Sequence, residues 1–262
     1  MVNEETAQKT EYTVPTEIVD LPSKGLLYPE GHPLANGTIE LKYMTAKEED
    51  ILMTESYIKQ GVVLDNLFRA LIVTKFNYND LLICDKNMIM ISARIMGYGK
   101  DYEFETTTPA GEKQKDTIDL TTLQIDDIDE TKVTQGINSF EYTFPASKRK
   151  LTFKLLTHGD NVAIDAEIKA LKKIKTIGGS SSGQLTTRLI HMITSIDGKE
   201  DKAYIRNFVN KELLAIDSIQ FRNHVSTIQP DLDLKITLVD NLSGDPFDIS
   251  LPIDVNFFWP SA

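Results

Sequence analysis

The segment from residue 14 to residue 37 is interrupted so often by proline and glycine that it cannot form a helix. The breaking residues include Pro22, Pro29, Pro33 and the dipeptide Asn36-Gly37. Between them stand large apolar side chains for which a disordered linker would have little use; these are Leu21, Leu26, Leu27 and Tyr28. We therefore predict a strap over 14–37 that lies against a protein surface, after a flexible polar tail over residues 1–13.

After the strap, the first half of the chain predicts a strand, then helices, then a β-hairpin. Alternating side chains from Thr38 to Met44 predict the strand. Thr45 and Glu48 then form a capping box, in which a threonine and an acid three residues later satisfy amide groups at a helix start. The further predicted elements are helices over 56–74 and 79–96, and hairpin strands over 102–105 and 117–120 around Pro109-Ala110-Gly111.

The second half follows a similar order, which suggests two related units. Met44-Thr45 and Leu156-Thr157 each precede a helix with an early acid, and Asp85 and Asp217 each precede an arginine. An ancient duplication would explain these parallels, and so would the loose similarity that any α+β protein shows. The predicted elements are strands over 140–144, 151–156, 234–239 and 247–251, and helices over 160–173, 184–195, 201–209 and 214–226.

These patterns predict an α+β fold of two related strand–helices–hairpin units. The N-terminal unit with its strap covers 14–125, and the C-terminal unit covers 137–262. The connector over 126–136 is acidic, and we interpret it as a solvated linker because nothing in it indicates a fixed ligand geometry. Within the C-terminal unit, 178–183 is rich in glycine and serine and predicts a flexible loop.

Three large aromatic side chains stand near the end of the sequence, at Phe257, Phe258 and Trp259. Terminal segments usually fray, so these side chains would expose much apolar area unless they dock. They could dock in the core of this chain, or in a neighbouring subunit, where aromatic anchors are enriched. The strap leaves the same two alternatives open, so the candidate partner-binding residues are Leu21, Pro22, Leu26, Leu27, Tyr28, Phe257, Phe258 and Trp259.

The charge of the chain bears on the partners that it can bind. The formal net charge is −11 and the isoelectric point is about 4.9, whereas nucleic-acid-binding proteins usually carry a basic surface. No apolar run approaches the length of a membrane-spanning helix, and residues 1–10 lack the apolar core of a signal peptide. We therefore expect neither nucleic acid nor a membrane as a partner, and synthesis in a cytoplasm.

The residues that usually carry chemistry are scattered. Cys84 is the only cysteine, so neither an internal disulfide nor a thiolate zinc cluster can form, and its apolar neighbours predict a buried structural thiol. No phosphate-binding glycine loop, nucleophile elbow or HExxH spacing occurs. We predict no catalytic, cofactor-binding or metal-binding residues; the four dispersed histidines are His32, His158, His191 and His224.

Several short motifs, taken in order, are similar to those of a known family. In sequence order they are Leu21-Pro22-Ser23-Lys24-Gly25-Leu26-Leu27-Tyr28-Pro29, Met44-Thr45-Ala46-Lys47-Glu48-Glu49-Asp50-Ile51-Leu52, Asp80-Leu81-Leu82, Ala93-Arg94, Tyr98-Gly99 and Phe257-Phe258-Trp259-Pro260. From about residue 14 onward the chain resembles the baseplate hub proteins of T-even-like contractile-tailed bacteriophages. One departure concerns the hairpin turns at 107–111 and 240–244, where many members of that family carry zinc knuckles. These turns contain no cysteine, so we predict that they bind no zinc.

The resemblance implies a structural subunit of the virion that acts through contacts with other baseplate or tail proteins, or with further copies of itself. It equally allows a hub assembly factor that is absent from the mature virion. The alternatives from other functional classes are a cytoplasmic enzyme and a nucleic-acid-binding module. An enzyme would gather perturbed titratable groups in a deep pocket, and a nucleic-acid-binding module would show steep salt dependence of binding.

Overall fold

Eight α-helices and four small antiparallel sheets form an α+β fold in the part of the chain that the computed structural model describes, residues 14–126, 128–174, 183–253 and 257–259. This confirms the predicted α+β class. The main hydrophobic core draws buried side chains from both halves of the chain, from Leu21 in the strap to Phe258 near the C-terminus. The predicted tail over 1–13, and the predicted loop at 178–183 apart from Gly183, lie outside the described residues.

The first half contains four strands and four α-helices. A short 3-10 turn at Tyr78–Asp80 precedes the last of these helices. The elements are β1 (Thr16–Asp20), β2 (Thr38–Lys42), α1 (Ala46–Met53), α2 (Glu55–Gln60), α3 (Val63–Leu71), α4 (Ile83–Tyr98), β3 (Asp101–Thr107) and β4 (Lys113–Asp119).

The capping box at the start of α1 is confirmed. The Glu48 carboxylate accepts hydrogen bonds from the Thr45 amide at 3.0 Å and from the Thr45 hydroxyl at 2.6 Å. The single helix predicted over 56–74 is wrong, because Gly61 ends α2 in the left-handed conformation with φ of 73° and α3 begins at Val63. The helix predicted from residue 79 starts instead at Ile83, after the 3-10 turn.

The second half contains five strands and four α-helices in its described residues. The elements are β5 (Phe140–Thr143), β6 (Lys150–Phe153), α5 (His158–Ile174), α6 (Gln184–Met192), β7 (Ile193–Ile196), α7 (Lys202–Lys211), α8 (Ala215–Ile228), β8 (Lys235–Val239) and β9 (Pro246–Ser250). The helix predicted over 184–195 is wrong at its C-terminal end, because α6 ends at Met192. The next four residues form β7, which pairs with β6 so that Ile196 lies opposite Leu151. Pairing with a distant strand overrides the local preference here.

The two halves share an order of elements. Each begins with an antiparallel pair, β1–β2 or β5–β6, followed by helices. A segment then returns to the second strand of that pair: Ile72 forms a bridge with Leu41 in the first half, and β7 pairs with β6 in the second. Each half closes with a helix and a hairpin, α4 with β3–β4 and α8 with β8–β9. This order agrees with the two-unit interpretation, while the predicted unit boundaries stay a prediction.

The acidic connector is packed against both halves. The Asp126 amide donates to the Asp231 carbonyl at 2.8 Å, and the Gly136 amide donates to the Leu26 carbonyl at 2.8 Å. Ile128 is buried in the main core. The interpretation of this segment as a solvated linker is therefore wrong for these positions, because an apolar side chain within the acidic run carries the backbone into the core.

Candidate interaction site

The strap is held on the body by one buried carboxylate at the start of α4. Asp85 accepts hydrogen bonds from the Ser23 amide at 3.0 Å, the Ser23 hydroxyl at 2.8 Å and the Tyr28 hydroxyl at 2.6 Å. The Tyr28 oxygen also accepts the Leu82 amide at 3.1 Å. Five polar groups of the strap and of the start of α4 thus satisfy one another away from water, as buried polar groups must.

Burial sets the titration of this network. It raises the pKa of Asp85 above its ordinary value, and the hydrogen bonds from Tyr28 and Ser23 offset this only in part. Burial and the neighbouring Asp85 carboxylate also raise the pKa of the Tyr28 hydroxyl, so Tyr28 remains a donor. The strap is therefore attached through a carboxylate whose charge is costly to bury.

The turn after β1 depends on a close approach of two backbone segments. Gly25 has φ of 76°, and a Cβ atom there would lie 2.5 Å from the Ala35 carbonyl oxygen. Only glycine accommodates both the left-handed conformation and this approach. The apolar side chains of the strap are thereby directed inward: Leu21, Pro22, Leu27 and Tyr28 are buried, and Leu26 is half-buried.

The aromatic segment at the end of the chain is also buried in this chain. Phe257 packs edge-to-face on Tyr102 with ring centroids 5.0 Å apart, and Phe258 lies 6.2 Å from Phe68. Phe257 and Phe258 are almost fully buried, whereas Trp259 is half-buried. Of the two alternatives left open by the sequence, docking in the core of this chain is the observed one for both phenylalanines.

The structure thus gathers the eight candidate residues around one core rather than on one open surface. The accessible parts of the set are Leu26 and Trp259. Partner binding by these residues stays a prediction. The residue that sequence reasoning missed is Asp85; its signal was the parallel with Asp217, which indicated a repeated position but not its contact with the strap.

An exposed strand edge lies within the strap, at β1. Among the described residues β1 pairs only with β2, so its other edge carries unpaired backbone groups. Ile18 in the middle of β1 is 72% exposed. An accessible edge strand with an apolar side chain is a typical site for the addition of a partner strand.

The side chains that most often act in catalysis or metal binding are dispersed, and several of them take part in structural contacts. His32 stacks on Tyr28, and His224 stacks on Tyr142. Burial raises the pKa of the Cys84 thiol, which disfavours the reactive thiolate. Within the described residues no group of three or more histidine, cysteine, aspartate or glutamate residues could hold a metal ion.

No described helix combines the length and the apolar character needed to cross a bilayer. A search of curated proteins finds no match to this chain, and a search of solved structures also finds none. A sequence model of the family described as T4 bacteriophage base plate protein matches residues 15–241, from β1 in the strap to the turn between β8 and β9. The match covers most of the chain, so this protein belongs to the T4 bacteriophage base plate protein family.

Proposed function

We propose that this protein is a structural, non-enzymatic subunit of the hub of a contractile phage tail baseplate. The observation that carries the proposal is the family match, which runs from the strap through the first half and through the second half as far as the turn after β8. The buried network at Asp85 supports a structural role, because it holds the strap in one position on the body. A rigidly held strap presents the same surface to every partner, which lowers the entropy lost on binding.

The surface that we propose for partner contact is the outer edge of β1. A neighbouring baseplate or tail protein would add a strand there, with main-chain hydrogen bonds for affinity and a pocket for Ile18 for specificity. The half-buried Leu26 and Trp259 would extend the contact from the strap and from the aromatic end. The proposed partners include neither nucleic acid nor a membrane. The protein would act in the virion after assembly in the host cytoplasm.

Mass spectrometry of purified virions tests the location. Stoichiometric amounts of the chain in tail particles are the expected result. Absence from virions, combined with failed hub assembly when the gene is removed, would instead identify an assembly factor. Normal tails after removal of the gene would contradict a baseplate role of either kind.

An Ile18→Lys variant tests the proposed contact at β1. Ile18 is largely exposed, so the substitution should leave the fold intact while placing a charge on the strand edge. We expect loss of tail assembly in a complementation assay. Leu242→Lys is the matched control, because Leu242 is 78% exposed at the β8–β9 turn, which belongs to a different strand pair. Equal activity of both variants would contradict strand addition at β1.

A further inference from the structure

One of the contacts between the two halves of the chain is a short backbone pairing at the start of α4. The Ile83 amide donates to the Leu156 carbonyl at 3.1 Å, and the His158 amide donates to the Leu81 carbonyl at 2.7 Å. Leu82 and Thr157 form the bridge between these two hydrogen bonds. The turn into α5 thus binds the turn into α4, and it covers Leu82 to 2% exposure.

The start of α8 has the same local structure as the start of α4. Asp85 and Asp217 are each the third residue of their helix. Asp217 accepts hydrogen bonds from the amides of Ala146 at 2.8 Å and Ser147 at 2.9 Å, in the turn between β5 and β6. Asp85 accepts the Ser23 amide in the turn between β1 and β2 in the same way. Leu213-Leu214-Ala215 before Asp217 therefore corresponds to Leu81-Leu82-Ile83 before Asp85.

Although these turns correspond, no other described segment forms a backbone pairing with the turn at α8 like the one at α4. Leu214 is 47% exposed, in contrast to its buried counterpart Leu82. Ile216 and Ile219 on the first turns of α8 are exposed to a similar extent. The Leu213 carbonyl and the Ala215 amide form no hydrogen bond with any described residue. We name this surface, Leu213 to Ile219, the α8 face.

The turn into α1 has the same local structure as the turn into α5. Thr45 and Thr157 each donate an amide hydrogen bond of 3.0 Å to the acid three residues later, Glu48 or Asp160. In both turns that acid also binds a lysine three residues before the threonine at 2.7 Å, as the Lys42–Glu48 and Lys154–Asp160 pairs show. The first half therefore carries its own copy of the element that docks on α4.

This second copy of the docking element is accessible. Thr45 and Ala46 are exposed, and Met44 is half-buried. The Met44 carbonyl and the Ala46 amide form no hydrogen bond with any described residue, whereas their counterparts at Leu156 and His158 are both bonded to the turn into α4. We name this surface, Met44 to Lys47, the Thr45 turn.

We propose that the α8 face binds the Thr45 turn of a second copy of this chain. The Ala215 amide would donate to the Met44 carbonyl of the other copy, whose Ala46 amide would donate to the Leu213 carbonyl. The contact between the two chains would repeat the backbone pairing that already joins the two halves within one chain. Because the two surfaces differ, a bound pair keeps one unused α8 face on one copy and one unused Thr45 turn on the other, so association is head-to-tail and extends to a ring or a filament. The proposal does not depend on the hub assignment.

One position distinguishes the new contact from the contact within the chain. Gly159 approaches Asn79 so closely that a Cβ atom there would lie 3.1 Å from the Asn79 side chain and carbonyl oxygen. Its counterpart in the Thr45 turn is Lys47, whose side chain would have to fit into this gap in the contact between two copies. A Lys47→Gly variant should therefore associate more tightly than the wild-type protein.

Two proline variants test the contact without disturbing either helix. Ala46 and Ala215 are the first residues of α1 and α8, a position at which proline is favoured because its missing amide hydrogen has no partner within the helix. The preceding residues have extended ψ values of 172° at Thr45 and 142° at Leu214, as a residue before proline requires. Ala46→Pro removes one intermolecular donor, and Ala215→Pro removes the other.

Sedimentation velocity over a wide concentration range is the measurement. We expect concentration-dependent association of the wild-type protein, weakened about tenfold or more in either proline variant. An equimolar mixture of the two proline variants should form a complex of two chains and grow no further. The intact α8 face of Ala46→Pro binds the intact Thr45 turn of Ala215→Pro, and the other two surfaces are altered. Ile216→Asp, at an exposed side chain of the α8 face, should weaken association in the same way and provides a second variant.

A wild-type protein that stays monomeric throughout would overturn the proposal. So would wild-type-like association of both proline variants, or a mixture that remains monomeric. Far-ultraviolet circular dichroism of each variant checks that the helices are intact. If a proline variant loses helix, Ile216→Asp and Lys47→Gly decide alone, and their opposite effects on association are required.

Discussion

The hydroxyl group of Tyr28 donates a 2.6 Å hydrogen bond to the carboxylate of Asp85, and the two side chains are separated by 57 positions in the sequence. This contact joins the strap to the first turn of α4. The same carboxylate holds the backbone and side chain of Ser23, so a single acid orders both ends of the turn that follows β1.

Replacement of Asp85 by alanine should destabilise the protein by about 3 kcal/mol or more, because three buried donors would lose their acceptor together. The free energy of unfolding from urea titration measures the effect. Asp165→Ala provides the control, as Asp165 is an exposed aspartate within α5, and should change the free energy by no more than about 0.5 kcal/mol. Similar losses in both variants would show that Asp85 does not anchor the strap.

Asp85 and Asp217 should have opposite effects on the pH dependence of stability. The pKa of Asp85 is raised in the folded protein, so its contribution to stability is fully present below the unfolded pKa near 3.8 and is lost as the pH rises through the folded pKa. Burial also raises the pKa of Asp217, but hydrogen bonds from the amides of Ala146 and Ser147 outweigh this and hold the pKa below its ordinary value. Its contribution is therefore present above pH 3.8 and is lost as the pH falls.

Two asparagine variants separate these effects. Relative to the wild-type protein, Asp85→Asn should become more stable as the pH rises from 3.8, and Asp217→Asn should become more stable as the pH falls below 3.8. Urea titrations at a series of pH values give both differences in the free energy of unfolding. Parallel pH profiles of the two variants would contradict the opposite shifts.

Removal of the Phe257 ring should cost about 3–5 kcal/mol in the Phe257→Ala variant, because the side chain is fully buried against Tyr102 and Phe258. Trp259→Ala should cost less, since Trp259 is half-buried. Truncation after Val255 removes both phenylalanines and should impair folding even in the absence of any partner. Wild-type stability of the truncated chain would show that the aromatic end is not part of the core.

Two glycines with similar backbone conformations distinguish strain from steric exclusion. Gly25 and Gly31 have φ of 76° and 81°, but a Cβ atom at Gly31 meets no atom within 4 Å, whereas at Gly25 it lies 2.5 Å from the Ala35 oxygen. Gly31→Ala should therefore cost only the strain of about 1–2 kcal/mol. Gly25→Ala should cost clearly more, as a thermal unfolding midpoint for each variant will show. Equal midpoints would exclude a steric role for Gly25.

Much of the fold was predictable where neighbouring residues decide the structure. The capping box of Thr45 and Glu48 placed the start of α1 correctly, and the Pro109-Ala110-Gly111 turn placed the β3–β4 hairpin. The sequence did not predict the break between α2 and α3, because apolar side chains recur at helical spacing on both sides of Gly61. In the candidate site, the sequence indicated that the strap packs on a surface but did not indicate which residue holds it.

Local sequence was enough to show that residues 14–37 form no helix and to place the start of α1 and the β3–β4 hairpin, because these choices depend on groups a few positions apart. Three features became evident only in the fold: residues 193–196 form a strand, Asp85 binds the strap, and Phe257 lies in the core of its own chain. All three features have the same cause. Each depends on a partner tens of residues or more away, and local propensity carries no information about which distant group will be present.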